Sequence, residues 1–301
     1  PEIYEKGAAI LGVKPEDCIV VEDTLNGIRA GKLSGATTVA IGTSLNLTDF
    51  IAGGNADYYL PTLPGLVRIL HQNGLDTGLS DRPVLLEAHR GVGTEAVENT
   101  MAAFRLAKKQ GYDMIEMDTK YTADHYCVLL HDRTLNRTAD QLKNDKDAAP
   151  VAIVERTLDE VNGAYTFGGE RIATLEDVLA FAAEEKIELK FDNVWQSHLP
   201  EERRSFLTAI AASPAKGLCG ITASDLAAVQ EILSALPGCH IHYDGPVTEA
   251  VLDELHTLVP HEDLTVWLRF DNACTAWCKN PPVDSTLAAL VHRYGKLGVW
   301  L

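Results

Sequence analysis

From residue 84 onward, short apolar runs alternate with helically spaced stretches, and this alternation restricts the fold more than any other feature. Runs near 84–89, 112–118, 127–131, 187–193, 217–222, 238–243, 264–270 and 297–301 read as strands. Stretches near 98–110, 174–185, 200–212, 224–236, 247–258 and 283–294 read as helices. Eight strands with interposed helices in roughly 220 residues predict an α/β fold of the (β/α)8, TIM type. One connection breaks the rhythm: "TKYTADH" (119–125) is too short for a crossover helix and must run as an extended return and turn.

The first segment has its own order. Residues 2–12 have helical spacing, "CIVVE" (18–22) is a short strand, 25–36 a helix closed by Gly35, "TTVAIG" (37–42) a strand and 63–70 a helix. Strand, helix, strand at this spacing predicts a small Rossmann-like parallel sheet. The turn formers and proline of "HQNGLDTGLSDRP" (71–83) read as a linker, which sets domains at 1–75 and 84–301 with 76–83 between them. Pro1 opens inside a helix start with no initiator Met, which predicts further residues upstream.

A barrel of this type carries its chemistry at the C-terminal ends of its strands. The first run ends with His89, Arg90 and Gly91, and the second with Glu116 and Asp118. The third ends with His131 and Asp132, and the fourth with Asp192 and Asn193. Glu116 and Asp118 are two apart, so both point to one face. Carboxylate oxygens there suit Mg2+ or Ca2+, paired imidazoles suit acid–base work, and Arg90 suits a phosphate. Together they describe metal-assisted phosphoester cleavage. Asp132 reads as a residue orienting a turn. Asp271, in "VWLRFDN" (266–272), reads as a surface turn that could reach the rim.

The charge balance excludes other classes. Forty-three acidic against 26 basic residues give a net charge of −17, which opposes nucleic acid and anionic membranes as partners. No apolar run reaches the roughly 18–20 residues of a bilayer span, so no stable membrane insertion is expected. The six cysteines form no CxxC pair and read as reduced thiols in a cytoplasmic protein. Oligomeric state is not legible.

"HRGVGTEAVENTMAAF" (89–104), "GYDMIEMDTKYTADHYCVLLHDRTLNRTAD" (111–140) and "TLEDVLAFA" (174–182) resemble the glycerophosphodiester phosphodiesterase family over about residues 84–301. The family order HRG, ENT, E-x-D, HD and T-L-x-R-T is complete. The resemblance implies a TIM-type barrel, a divalent metal, and hydrolysis of glycerophosphodiesters to glycerol 3-phosphate and an alcohol. By motif, His89 and His131 resemble the acid–base pair, Arg90 the phosphate contact, and Glu116 and Asp118 metal ligands. The substrate's own glycerol hydroxyl would attack phosphorus. Glu98, of "ENT", fits either a helix N-terminus or the site.

The third ligand departs from the pattern, a Glu followed two residues later by Lys. Asp192 with Val194 is one match and Glu188 with Lys190 the other; Asp192 is favoured because it stands nearer the mouth, with Lys190 one step deeper as a substrate contact. A non-catalytic phosphoester-binding barrel, and turnover of lysophospholipid-type diesters, are the alternatives. The first segment resembles the C-terminal part of a haloacid-dehalogenase-type phosphatase, with Glu22 and Asp23 matching its terminal acidic motif. The remaining motifs would lie before Pro1, and the barrel would continue past Trp300, as in a longer fusion.

Overall fold

The computed structural model describes residues 1–42, 56–60, 85–93, 95–269 and 280–300. The chain divides into two compact units, Pro1–Val84 and Leu85–Leu301. The expected helix at 63–70, the linker and Asp271 lie outside the described residues. Among those described, no helix is long and apolar enough to cross a membrane.

The first unit runs α1 (Glu2–Leu11), β1 (Ile19–Glu22), α2 (Leu25–Ser34), β2 (Thr37–Ile41) and β3 (Tyr58–Leu60). The three strands form a parallel sheet in the order β1-β2-β3. Thr24 caps α2 by accepting from the Gly27 amide at 3.1 Å. Gly27 leaves room for the Glu22 carboxylate, which would have to move for a Cβ placed 2.0 Å from it. β3 was not anticipated; three residues are too few to show alternation.

The second unit begins with β4 (Glu87–Ala88), α3 (Met101–Gln110), β5 (Met114–Tyr121) and β6 (Cys127–Leu129). It continues through α4 (Leu158–Ala164), α5 (Leu175–Glu185), β7 (Glu188–Asp192), α6 (Val194–Ser197), α7 (Pro200–Ala212) and β8 (Cys219–Ala223). It ends with α8 (Leu226–Ala235), β9 (His240–Tyr243), α9 (Glu249–Leu258), β10 (Leu264–Arg269), α10 (Ser285–His292) and β11 (Lys296–Trp300). The strand order is β11-β10-β9-β8-β7-β5-β4, parallel at every step, with β6 off this path.

This corrects the expected eight parallel staves. β6 pairs with β5 antiparallel, through Thr119↔Leu129, Lys120↔Val128 and Tyr121↔Cys127. The connection is a hairpin turn, in which His125 adopts a left-handed φ of 63° and donates its amide to the Thr122 carbonyl. So tight a turn can only reverse the chain. The result is an α/β fold with a curled parallel sheet, and among the described residues no pairing joins β11 to β4.

Alternation along the strands sorts the two faces. Ile115, Met117, Leu189, Phe191, Ile221, Ile241, Val266 and Leu268 pack with helix residues such as Phe104, Val178, Phe206 and Leu252 in the main core. The opposite face is polar and still buried: Glu116 is 1% exposed, Lys190 0%, His242 3% and Trp267 6%. The Lys190 ammonium bonds Glu87 at 3.2 Å and sits 3.8 Å over the Trp267 ring. The Trp267 indole donates to His242 Nδ1 at 3.0 Å. Gly220 leaves room for that imidazole, since a Cβ would stand 2.4 Å from its Nε2.

Buried imidazoles make stability depend on pH. Burial pushes His198 and His240 down to about 4, and His242 well below its ordinary value. These groups bind protons in the unfolded chain but not in the folded one between pH 6.5 and about 4. Stability is therefore full above the unfolded value and falls as the solution is acidified. At about 1.4 kcal/mol per pH unit, the loss by pH 5 is on the order of 2 kcal/mol for each such histidine. Urea unfolding at pH 7.5 and pH 5 checks this; equal midpoints would contradict it.

Candidate active site

The site grows from the end of β4. Arg90 and Gly91 both take left-handed backbone, with φ of 54° and 78°. Gly91 is needed for the turn and the space, because a Cβ would meet Ala103 Cβ at 2.7 Å. This turn aims the Arg90 amide at Glu116, which accepts at 2.8 Å. The guanidinium then reaches Glu98 at 2.9 Å and Asp118 at 3.2 Å. His89 approaches the same oxygen of Glu116, its Nε2 3.9 Å away.

β5 and β7 carry the acids. Asp118 and Asp192 are direct neighbours in the parallel register, and Glu116 stands beside Lys190. Glu188 pairs with Met114 at the far end of the strand and is exposed. Of the two candidates for the third carboxylate, the register thus brings Asp192 to Asp118. Asp118 receives Asn193 Nδ2 at 2.6 Å and Asn99 Nδ2 at 3.1 Å. Arg90, Asn99 and Asn193 are three of the five described non-glycine residues at positive φ. Strained backbone is concentrated around this one carboxylate.

The hairpin returns His131 to the same level, because Leu130 donates its amide to the Asp118 carbonyl at 3.0 Å. Asp132, expected to orient a turn, instead meets His131 Nδ1 at 2.7 Å. That contact leaves Nε2 as the nitrogen for proton transfer. Glu98 lies outside the first turn of α3, which Thr100 caps. Its carboxylate goes to Arg90 and Arg137 rather than to the helix amides.

The electrostatics follow from burial. Glu116 is raised well above the ordinary carboxylate value, by desolvation first and then by the charges of Asp118 and Asp192. His89 is lowered, by burial and then by the Arg90 charge, so its neutral form is favoured. Asp132 is held down at about 2, chiefly by the hydrogen bond from Arg137. Asp244, just after β9, is raised by burial and accepts from the Ser224 hydroxyl at 2.7 Å.

Carboxylates that share a face and repel one another have the hard oxygens a divalent cation takes. They are not gathered into a coordination shell: among the described residues no three His, Cys, Asp or Glu side chains stand close enough to hold an ion. Lys190 is brought close but beneath the rim, where Glu87 and Trp267 bury it.

Residues 89–217 match the Glycerophosphoryl diester phosphodiesterase family. The match to this phosphodiesterase family covers the turn after β4, the β5–β6 hairpin and β7. Curated relatives agree. The chain is 40% identical over 95 residues to a glycerophosphodiester phosphodiesterase of Caldanaerobacter subterraneus, covering 31% of this chain and 38% of that protein. It is 32% identical over 121 residues to human glycerophosphodiester phosphodiesterase 1, covering 38% and 35%. The matched stretches thus span less than two-fifths of these relatives' own lengths. A crystal structure of a glycerophosphoryl diester phosphodiesterase from Parabacteroides distasonis superposes with a TM-score of 0.55 at 22% identity, covering 72% of this chain and 71% of that one. A phosphodiesterase from Oleispira antarctica, in complex with the product sn-glycerol-3-phosphate, gives 0.53 at 18%, covering 72% and 84%. At these identities the structures speak for the fold.

Asn99, Arg137, Glu87 and Asp244 were missed as site residues, and Asn193 was placed at the rim without its hold on Asp118. Asn99 and Arg137 were visible inside "ENT" and "TLNRT". Asp118, the partner of Asn99, and Glu98, a partner of Arg137, lie elsewhere in the fold, which spacing along the chain does not reveal.

Proposed function

We propose that the second unit hydrolyses glycerophosphodiesters to glycerol 3-phosphate and an alcohol. The observation that carries this reading is one rim holding two imidazoles, each beside a carboxylate, with the Arg90 guanidinium between Glu98 and Asp118. His89, favoured neutral, takes the proton of the attacking hydroxyl. His131, oriented by Asp132, protonates the leaving alcohol oxygen, and water then opens the cyclic phosphate so formed to glycerol 3-phosphate. Arg90 grips the phosphate oxygens. Glu116, Asp118 and Asp192 would hold Mg2+ or Ca2+, for which the support is their shared face and a Glu116 raised by burial and then by the neighbouring Asp118 and Asp192 charges. A cation bound there would offset charge on the phosphate. Lys190 acts from below, as a countercharge to these acids rather than by touching substrate.

For the first unit we propose the C-terminal part of a haloacid-dehalogenase-type hydrolase domain. The support is its parallel sheet, with Glu22 and Asp23 following one another at the end of β1. Domains of 1–75 and 84–301 belong to the same reading. The described cysteines are free thiols, which supports a reducing, cytoplasmic setting.

The test is a coupled assay for glycerol 3-phosphate, with glycerophosphocholine or glycerophosphoethanolamine and Mg2+ or Ca2+. Release by the full chain is expected, as is a melting temperature raised by the cation; a cation at a hundredfold its Kd stabilises by about 2.7 kcal/mol. Calorimetric binding without turnover would favour a phosphoester-binding module. Turnover confined to lysophospholipid diesters would move the substrate class.

A further inference from the structure

Arg137 has no part in the reaction as drawn, yet it is the most heavily bonded side chain near the rim. Its Nε and Nη2 donate to Asp132 at 2.7 and 3.1 Å. Its Nη1 and Nη2 donate to Glu98 at 2.6 and 2.7 Å. Each of those carboxylates has a second partner. Asp132 bonds His131 Nδ1 at 2.7 Å, and Glu98 accepts from Arg90 Nη1 at 2.9 Å. The contacts run unbroken from His131 through Asp132, Arg137, Glu98 and Arg90 to Asp118.

We propose that Arg137 is a positioning residue: it clamps the carboxylate that orients His131 to the carboxylate that orients Arg90, so imidazole and guanidinium are set as one unit. The inference rests on the roles proposed above for His131 and Arg90. Stability alone does not account for the arrangement. The Arg137 side chain is 47% exposed, and exposed ion pairs add little to folding. A planar fork that binds two carboxylates at once instead fixes their relative geometry. Lysine, a point charge on a flexible stem, cannot hold both in that way. Arg137 also lines an open cavity of about 610 Å3 together with Thr138 and Lys143. The Lys143 amine bonds Asp140, outside the chain of contacts.

Three variants of the full chain test the clamp. Arg137→Met lowers kcat on glycerophosphocholine by on the order of 10- to 100-fold, the usual effect of losing a partner that orients a functional ligand. Its melting temperature stays near the parent's. Arg137→Lys falls between the two. Lys143→Met, in the same cavity, leaves kcat unchanged. In a double-mutant cycle, Arg137→Met and Glu98→Gln together cost less than the sum of the two singles, because they break one clamp. A second readout needs no turnover: the ring 15N–1H resonances of His131 shift or broaden in Arg137→Met, while those of buried His198 do not. Unchanged kcat with unmoved His131 resonances overturns the clamp. If the parent releases no glycerol 3-phosphate, the phosphodiesterase reading falls and the spectrum alone decides: a perturbed His131 upholds the clamp, and an unmoved one rejects it.

Discussion

Replacing His89 by alanine lowers the rate of glycerophosphodiester hydrolysis by on the order of 10²- to 10⁴-fold, the range supplied by a positioned general acid or base. The expectation rests on where the imidazole stands. It follows β4 directly, 3.9 Å from the Glu116 carboxylate, with burial and Arg90 disfavouring its protonated form. A neutral imidazole in that position can accept a proton at neutral pH. The fold should barely notice the change, since the side chain is 49% exposed. Rates with the parent and His89→Ala, beside their melting curves, make the check. A variant that melts like the parent and turns over within roughly tenfold of it would remove His89 from the reaction.

Replacing Lys190 by methionine destabilises the second unit by about 3–5 kcal/mol at pH 7, the range measured when one partner of a buried ion pair is removed. The methionine keeps much of the stem but leaves Glu87 without its cation. That carboxyl is 10% exposed and already raised by burial, and Lys190 offsets part of that rise. Glu116 and Asp244 lose the same opposing charge. The pH dependence has a definite sign. A carboxyl raised in the folded state costs stability above its unfolded value, and the cost disappears as acid protonates it. The gap between parent and variant therefore narrows on acidification, even though the histidines weaken both. Adding Glu87→Gln recovers most of the loss at neutral pH. Urea unfolding of the parent, the single and the double variant gives the answer. A single variant within about 1 kcal/mol of the parent would contradict a buried charge pair.

The alternation of apolar runs located nearly every strand and helix of the second unit, because helices of a parallel α/β fold bury one periodic face while its doubly covered strands read as short apolar runs. It did not show that β6 runs backwards. An apolar run carries no direction; the clue was the short "TKYTADH" connection, and the pairing of Thr119 with Leu129 shows where it leads. Helix α4 was missed because it is short and outside the rhythm, and its capping box at Thr157 and Glu160 was the signal available.

At the site, the residues at strand ends were legible as a set. Their contacts were not. Asn99 and Asn193 hold Asp118 from left-handed positions. Lys190 shares alternation with Asp192, so a pattern of faces could not separate a rim position from a buried one. Depth along the strand does, and depth is a property of the register with Glu116 and Asp118.

β4 is two residues long, and its register with β5 is Glu87↔Met114 and Ala88↔Ile115, extended on either side by Leu86 and by the Arg90 amide on Glu116. The His89 imidazole and the Arg90 guanidinium therefore follow the shortest strand of the described sheet. Glu116, Asp118 and the other imidazole share a hairpin whose eight-residue first arm is wholly buried, with Asp192 on neighbouring β7. Local opening would part these two halves long before the remainder came undone. Fraying of β4 would then part His89 and Arg90 from Glu116 and Asp118 while the rest of the described sheet stays intact and able to re-form those contacts.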